Sequence, residues 1–225
     1  MISDPWAFGW DQAIAIGNGI AVLLAAGAGV WGVRTWRQER IDARQAEIAE
    51  EAMVLIFQSE SVFAALRSPV SFEGEGATRL RPEGENESLE QESRRNAAFI
   101  PLERLRQHSA HFEAIYGLRP RLKALIGPEA IEPINRIEKL ERRFRRAAIL
   151  EARAVDRLLR FRTAQAEERF MAEQAERETV YWSGVVDPDP LDIELLDAIR
   201  QMETITMPFL RPRRLWGRRL SRTNS

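Results

Sequence analysis

The chain has 225 residues, of which 44% are hydrophobic, and its 33 basic and 34 acidic side chains leave a formal net charge of −1. A nearly neutral chain has no general electrostatic attraction for nucleic acid. The sequence contains no cysteine, which excludes disulfides, thiolate nucleophiles and cysteine-ligated metal centres. Long stretches rich in Ala, Leu, Glu and Arg, without strand-like alternation, predict an all-α protein.

The first predicted element is a transmembrane helix over residues 12–33, after a short extracytoplasmic N-terminus of residues 1–11. Residues 13–33 carry no charge. At 1.5 Å per residue this segment is roughly 31 Å long, which matches the hydrocarbon thickness of a bilayer. Tryptophans flank both of its ends, as in the aromatic belts of membrane proteins.

Arginine placement predicts the orientation of this helix. No basic residue precedes it, whereas Arg34, Arg37, Arg40 and Arg44 follow it directly. By the positive-inside rule the N-terminus lies outside and the bulk of the chain is cytoplasmic. The chain has only two lysines, Lys123 and Lys139, which is typical of a GC-rich, bacterial coding genome. We therefore expect a single-pass protein of the inner (plasma) membrane.

Four small residues recur at intervals of four within the predicted span: Gly17, Ala21, Ala25 and Gly29. This spacing places them on one gently winding helix face, where a neighbouring backbone could approach closely. The pattern favours self-association or packing on another membrane helix. General Ala/Gly richness is the alternative reading of the same spacing.

A juxtamembrane helix is predicted over residues 34–68, because the first helix breaker after the span is Pro69. Its apolar residues recur at seven-residue intervals and need a partner helix to cover them. Residues 69–96 are rich in Glu, Gly and Pro and predict an acidic, flexible loop. The Gly74–Gly76 pair in this loop is flanked by glutamates, which would repel a phosphate, so it is not a nucleotide-binding loop.

Residues 97–207 predict a helical domain. One helix extends from about Ala97 to Tyr116, and Pro101 suits its first turn better than its middle. An uninterrupted helix of up to 50 residues is possible between Pro133 and Gly184. Asp189 as N-cap with Pro190 at the first helical position opens a last helix, which Pro208 closes. The predicted fold is thus an antiparallel helical bundle with long coiled-coil-like helices below the membrane. The predicted seam of the long helix is Ile137, Leu140, Phe144, Ala147, Leu150, Ala154, Leu158 and Phe161.

Few residues suggest chemistry. His108 and His111 are the only histidines, and their i,i+3 spacing lacks nearby acids on the same face. The sequence contains no nucleophile elbow and no phosphate-cradling glycine loop. We therefore expect no enzymatic activity, no cofactor, no metal site and no small-molecule substrate.

Two arginine-rich segments suggest partners. On the long helix, basic residues recur at three- and four-residue spacing, but i,i+4 glutamates indicate a largely self-neutralised face. The alternative is an acidic partner, possibly the Glu-rich segment 73–92 of the same chain. Because no aromatic residues are interleaved with the arginines, nucleic-acid binding is not expected.

The second segment is the basic C-terminal tail, residues 208–225, which has no acidic residue. Such a tail favours contact with an anionic cytoplasmic membrane surface, and the alternatives are a disordered tail or another acidic partner. The residues expected to contact the membrane surface are Arg211, Arg213, Arg214, Trp216, Arg218 and Arg219.

Taken together, these features predict a membrane-anchored interaction or scaffold module on the cytoplasmic face. Its expected partners are membrane lipids and either a protein or a second copy of the chain. The alternative is a regulatory or signalling module that transmits a membrane-derived change to a cytoplasmic partner.

Overall fold

The computed structural model describes residues 9–72, 74–81, 86–155 and 164–211. Every regular element in these ranges is helical, which confirms the all-α class. A 3₁₀ turn at Pro128–Ala130 precedes the fifth α-helix. The α-helices, in chain order, are α1 (Trp10–Leu66), α2 (Leu89–Gln107), α3 (Ser109–Gly117), α4 (Arg119–Leu125), α5 (Ile131–Ala154), α6 (Ala164–Tyr181) and α7 (Pro190–Leu210).

The chain divides into two compact units, residues 1–45 and residues 46–225, and the division falls inside α1. In the first unit the side chains of residues 14–41 are all exposed. Of the helices that the structure describes, α1 alone is long and apolar enough to cross a membrane, and none of its apolar window is buried. This confirms one apolar N-terminal helix of spanning length.

The second unit has its core around α5, which contacts α2, α6 and α7. The amphipathic pattern of α5 explains this position, because its apolar residues recur every three or four residues and share one face. Ile134, Ile137, Leu140 and Phe144 on this face are each 1% exposed or less. The predicted core face of α5 is therefore confirmed over most of its length.

Residues 46–66 of α1 contribute the other large share of this core. Ile48, Ala52, Ile56 and Leu66 are buried to 1% exposure or less. The ring of Phe63 meets Phe112 of α3 edge-on, with ring centroids 5.8 Å apart. The last part of α1 is thus a core helix.

Part of the predicted seam on the long helix is wrong. Leu150 is 42% exposed, because the apolar face of α5 continues through Ala147, Ala148 and Ala154 instead. The helix also does not extend unbroken from Pro133 to Gly184, since α5 ends at Ala154 and α6 begins at Ala164. The predicted seam residues Leu158 and Phe161 lie outside the described residues.

The predicted loop 69–96 ends earlier than expected, because α2 begins at Leu89. Ser88 forms a capping box: its hydroxyl accepts from the Gln91 amide at 3.2 Å, and the Gln91 side chain accepts from the Ser88 amide at 3.0 Å. This cap satisfies two amide groups that a helix start otherwise leaves without partners. The predicted helix 97–116 is also divided, since α2 ends at Gln107 and α3 begins at Ser109.

Two prolines predicted to mark helix ends lie inside helices instead. Pro101 lies in the interior of α2 and Pro208 lies in the last turn of α7, which ends at Leu210. Each proline lacks a backbone N–H and so removes one backbone hydrogen bond from its helix. The helix tolerates this loss where the other backbone hydrogen bonds continue. The start of α7 is as predicted: Asp189 accepts from the Leu191 amide at 2.9 Å, with Pro190 as the first residue of the helix.

Candidate functional site

The small-residue stripe predicted for helix packing lies on the exposed part of α1. Gly17, Ala21, Ala25 and Gly29 are all exposed, and no atom lies within 4 Å of the position of an added Cβ at Gly17 or Gly29. In the described part of the chain, no other element covers this face. The stripe therefore leaves room for the close approach of a neighbouring helix.

Exposed aromatic side chains follow the stripe. Trp31 and Trp36 are 73% and 52% exposed, and the Arg40 guanidinium lies 4.1 Å from the Trp36 ring centroid. A cation over an indole face is a favourable electrostatic contact, and both groups suit the interface between hydrocarbon and water. This part of α1 therefore has the side chains that a membrane interface requires.

Of the six residues predicted to contact a membrane surface, the structure describes one. Arg211 is exposed and caps the C-terminus of α7, with its amide donating to the Met207 carbonyl at 3.2 Å. The other five, Arg213, Arg214, Trp216, Arg218 and Arg219, lie outside the described residues.

Among the described residues of the second unit, the Arg67 side chain forms the most hydrogen bonds. Sequence reasoning missed this residue. This arginine follows the last residue of α1 and is 1% exposed. Its guanidinium bonds to the carboxylates of Asp189 at 2.5 Å and Asp192 at 2.7 Å. It also donates to the backbone carbonyls of Thr179, Val180 and Trp182 at 3.0–3.1 Å.

These bonds join three helix ends. Arg67 comes from the end of α1, its carbonyl acceptors come from the end of α6 and the turn after it, and its carboxylate acceptors come from the start of α7. The Ser183 amide returns a bond to the Arg67 carbonyl at 2.8 Å. The only signal in the sequence is that Arg67 is the sole charged residue between Glu60 and Glu73.

A second buried guanidinium, that of Arg104 in α2, orders the segment after α1. Arg104 is 6% exposed and donates to the carbonyls of Ser68 and Val70 and to the Glu75 carboxylate. This contact lowers the pKa of Glu75, because the bonded guanidinium favours the ionised carboxylate. Arg104 thus fixes this segment, in which the side chain of Phe72 is 79% exposed.

Among the described residues, Ser59 and His111 form a pair that resembles a nucleophile and its base. The Ser59 hydroxyl and the His111 Nε2 atom are 3.1 Å apart, and burial lowers the pKa of His111, with a smaller contribution from His108. However, the single hydroxyl proton of Ser59 is donated to the Leu55 carbonyl at 3.2 Å, so the imidazole acts as the donor to Ser59. Ser59 is 0% exposed and cannot meet a substrate in this arrangement. The pair therefore secures α3 against α1.

The exposed face of α5 is rich in basic side chains. Most of them are neutralised within the chain, as the i,i+4 spacing predicted, through pairs of Arg136 with Glu132, Arg142 with Glu138 and Arg145 with Glu141. Arg143 instead pairs with Glu194 of α7 at 2.7 Å. Asp156 and Arg160, which have the same i,i+4 spacing in the sequence, lie outside the described residues.

An open groove of about 400 Å³ lies beside this face, between α5 and α7. Its lining mixes cations and carboxylates, with Arg136 and Lys139 on one side and Glu194 and Asp197 on the other. Among the described residues, no cluster of three or more His, Asp or Glu side chains could hold a metal ion.

The chain was compared with models of protein families, with curated proteins and with solved structures, and none of them matches it.

Proposed function

We propose that the chain is a single-pass membrane tether that holds a helical interaction module at the cytoplasmic face of the inner membrane. One observation carries this proposal: α1 begins as an apolar, wholly exposed helix and ends, from Ile48 to Leu66, as a buried core helix of the second unit. A helix with both properties attaches the second unit directly to a membrane segment. In this proposal the helices of the second unit pack as an antiparallel bundle.

Membrane insertion can be tested with a charge at the centre of the apolar segment. Leu23→Arg costs about 2.5–3.5 kcal/mol of insertion free energy at a helix centre. We expect a large loss of the full-length chain from salt-washed membranes. The control is Val54→Arg, at a site that is 50% exposed in the second unit. If both variants stay fully in the membrane fraction, the tether proposal is wrong.

The orientation can be tested because the chain contains no cysteine, so that an introduced thiol is the only one to react. We expect Ser3→Cys to react with a membrane-impermeant maleimide in intact cells. Ser61→Cys, at an exposed position of α1, should react only after the cells are opened. The reverse pattern would place the helical module outside the cytoplasm.

The small-residue stripe is proposed as a packing face for a second copy or another membrane helix. Gly17→Leu with Gly29→Leu fills this face, whereas Gly19→Leu with Gly27→Leu adds the same volume on other faces of α1. We expect the first double variant alone to reduce crosslinking of the chain in membranes. If both double variants crosslink equally, the small-residue stripe is not the packing face.

The basic tail is proposed as a membrane-surface contact, since each Arg near an anionic leaflet contributes about 1 kcal/mol of attraction. We expect deletion of residues 212–225 to weaken binding of the second unit to anionic vesicles. Unchanged binding would assign the tail another role.

A second candidate function is the transmission of a membrane-derived change to a cytoplasmic partner. The observation that favours it is that α1 is helical without interruption from Trp10 to Leu66. Inserting a flexible Gly-Ser segment after Gln45 separates the two functions. A tether keeps its activity after the insertion, whereas a transmitting helix loses it.

A further inference from the structure

Three exposed cations on α5, here called the basic row, are spaced seven residues apart: Lys139, Arg146 and Arg153. Seven residues are close to two turns of an α-helix, and the rise between neighbours is about 10.5 Å. The three side chains therefore leave the helix in nearly the same direction and form a line along its surface.

The basic row differs from the other arginines of α5 in its pairing. Arg136, Arg142, Arg143 and Arg145 each form an ion pair with a carboxylate. No member of the row forms an ion pair or a side-chain hydrogen bond with another residue of the described chain. The row therefore forms no ion pair with a described carboxylate, although Lys139 shares the groove between α5 and α7 with Glu132, Glu194 and Asp197.

The described glutamates of the acidic segment are bonded to arginines outside α5. Glu75 bonds to Arg104, Glu87 to Arg79 and Arg95, and Glu90 and Glu92 to Arg94 and Arg81. Glu90 and Glu92 lie within α2, and Glu75 and Glu87 are bonded to α2 through Arg104 and Arg95. The intrachain partner that the sequence suggested for the basic face of the long helix stays a prediction for the rest of the segment.

The surroundings of the row indicate what could bind it. Leu150 lies beside the row and is 42% exposed, and Ile149 is partly exposed. The one aromatic residue of α5, Phe144, is buried and cannot stack on a base, so this surface lacks the stacking platform of a nucleic-acid site. A row of single cations 10.5 Å apart instead matches a helix that carries acids at seven-residue intervals with apolar residues between them.

We propose that the basic row is the docking surface for an acidic amphipathic helix of a partner protein. This inference rests on the proposed interaction function and names the surface and the chemistry of its partner. Carboxylates at positions i, i+7 and i+14 of the partner meet Lys139, Arg146 and Arg153. Leu150 contacts the apolar side chains that lie between those carboxylates.

The probe is a synthetic 21-residue helix of Ala, Leu and Glu with glutamates at i, i+7 and i+14. A second peptide of the same composition distributes the glutamates around the helix. Full-length protein in neutral detergent micelles is titrated with each labelled peptide, and binding is followed by fluorescence anisotropy. We expect the first peptide to bind about tenfold more tightly, since three exposed ion pairs each contribute modestly.

The decisive variant changes the basic row to Gln at all three positions, Lys139→Gln, Arg146→Gln and Arg153→Gln. We expect it to lose about tenfold in affinity for the first peptide. Raising the salt concentration should produce the same loss in the unchanged protein, because exposed charges are screened.

The matched control removes three positive charges at other exposed sites whose arginines are already paired: Arg94→Gln, Arg121→Gln and Arg200→Gln. We expect this variant to bind the first peptide almost as well as the unchanged protein. Equal losses in the two variants would show a net-charge effect and overturn the proposal, as would equal affinity for the two peptides.

Two further outcomes would also overturn it. Tighter binding of duplex DNA or of anionic vesicles than of the peptide, lost in the row variant, would assign the row to phosphate groups. The peptide assay does not require membrane insertion, so its failure is distinguishable from failure of the tether proposal, which the Leu23→Arg fractionation reports.

Discussion

Arg67 at the end of α1 and Arg146 on α5 carry the same guanidinium in opposite surroundings. Arg67 is 1% exposed and bonds to two carboxylates and three carbonyls, whereas Arg146 is exposed and has no ion pair in the described chain. A buried guanidinium is stable only when its donors are satisfied, so Arg67 ties three helix ends to one geometry. An exposed one contributes little to stability and remains available to a partner. The two regions show that surroundings, rather than residue type, separate a buried structural arginine from an exposed one without an ion pair in the described chain.

The sharpest way to test this comparison is to remove the charge at Arg67. Arg67→Met keeps much of the side-chain length and leaves the Asp189 carboxylate and three carbonyls without their donor. We expect the free energy of unfolding to fall by about 3–5 kcal/mol, measured by urea denaturation in detergent micelles. Arg146→Met is the matched control and should change stability by less than about 0.5 kcal/mol. Similar losses in the free energy of unfolding at both positions would show that Arg67 is no more important to stability than Arg146.

A smaller effect is expected at Arg104, which secures one segment rather than three helix ends. Arg104→Gln removes the charged donor from Glu75 and from the carbonyls of Ser68 and Val70. We expect a loss of about 1.5–3 kcal/mol and faster amide hydrogen exchange over residues 68–76. Unchanged exchange in that segment would contradict the role given to Arg104.

The ion pair of Glu103 and Arg106 joins a buried group to an exposed one. The Glu103 carboxylate is buried, whereas the Arg106 guanidinium is exposed. The bonds from Arg106, at 2.7 and 2.9 Å, lower the pKa of Glu103 to about 2, with further bonds from Thr78 and Gln107. A lowered folded-state pKa stabilises the protein above the unfolded value of about 4.5, and that stability is lost as pH falls toward 2.

This linkage can be tested by comparing the unchanged protein with Glu103→Gln. At pH 7 we expect the variant to be the less stable of the two. Between pH 4.5 and 2 the difference in urea midpoint should shrink, since protonation removes the charge that the variant already lacks. A difference that stays constant over this range would show that Glu103 is not held ionised by Arg106.

The smallest effect is expected for the paired arginines on the surface of α5. Arg142→Gln removes the ion pair with Glu138, which also bonds to Arg119. We expect a change of less than about 0.5 kcal/mol in thermal unfolding, because exposed pairs gain little over hydration. A loss above 1 kcal/mol would mean that the surface of α5 contributes to stability as the buried arginines do.

Local sequence signals were sufficient for several features of this fold. The uncharged run 13–33, the apolar periodicity around Phe144 and the Asp189–Pro190 helix start are all patterns within a few turns of one helix. The early start of α2 could also have been found, because Ser88 and Gln91 have the spacing of a capping box. The weight given to Pro101 as a helix start obscured it.

The sequence by itself determined that the chain is all-α, that its N-terminal helix is apolar over the length of a bilayer, and which face of α5 is buried over most of its length. These properties depend on side chains within one helix, whose period is fixed by backbone geometry. Only the tertiary structure decided that Arg67 and Arg104 are buried while Arg146 is not, because Arg67 and Asp189 are 122 residues apart in sequence. The pairing of the acidic segment with α2 was decided in the same way. It leaves the basic row of α5 without an ion-pair partner in the described chain.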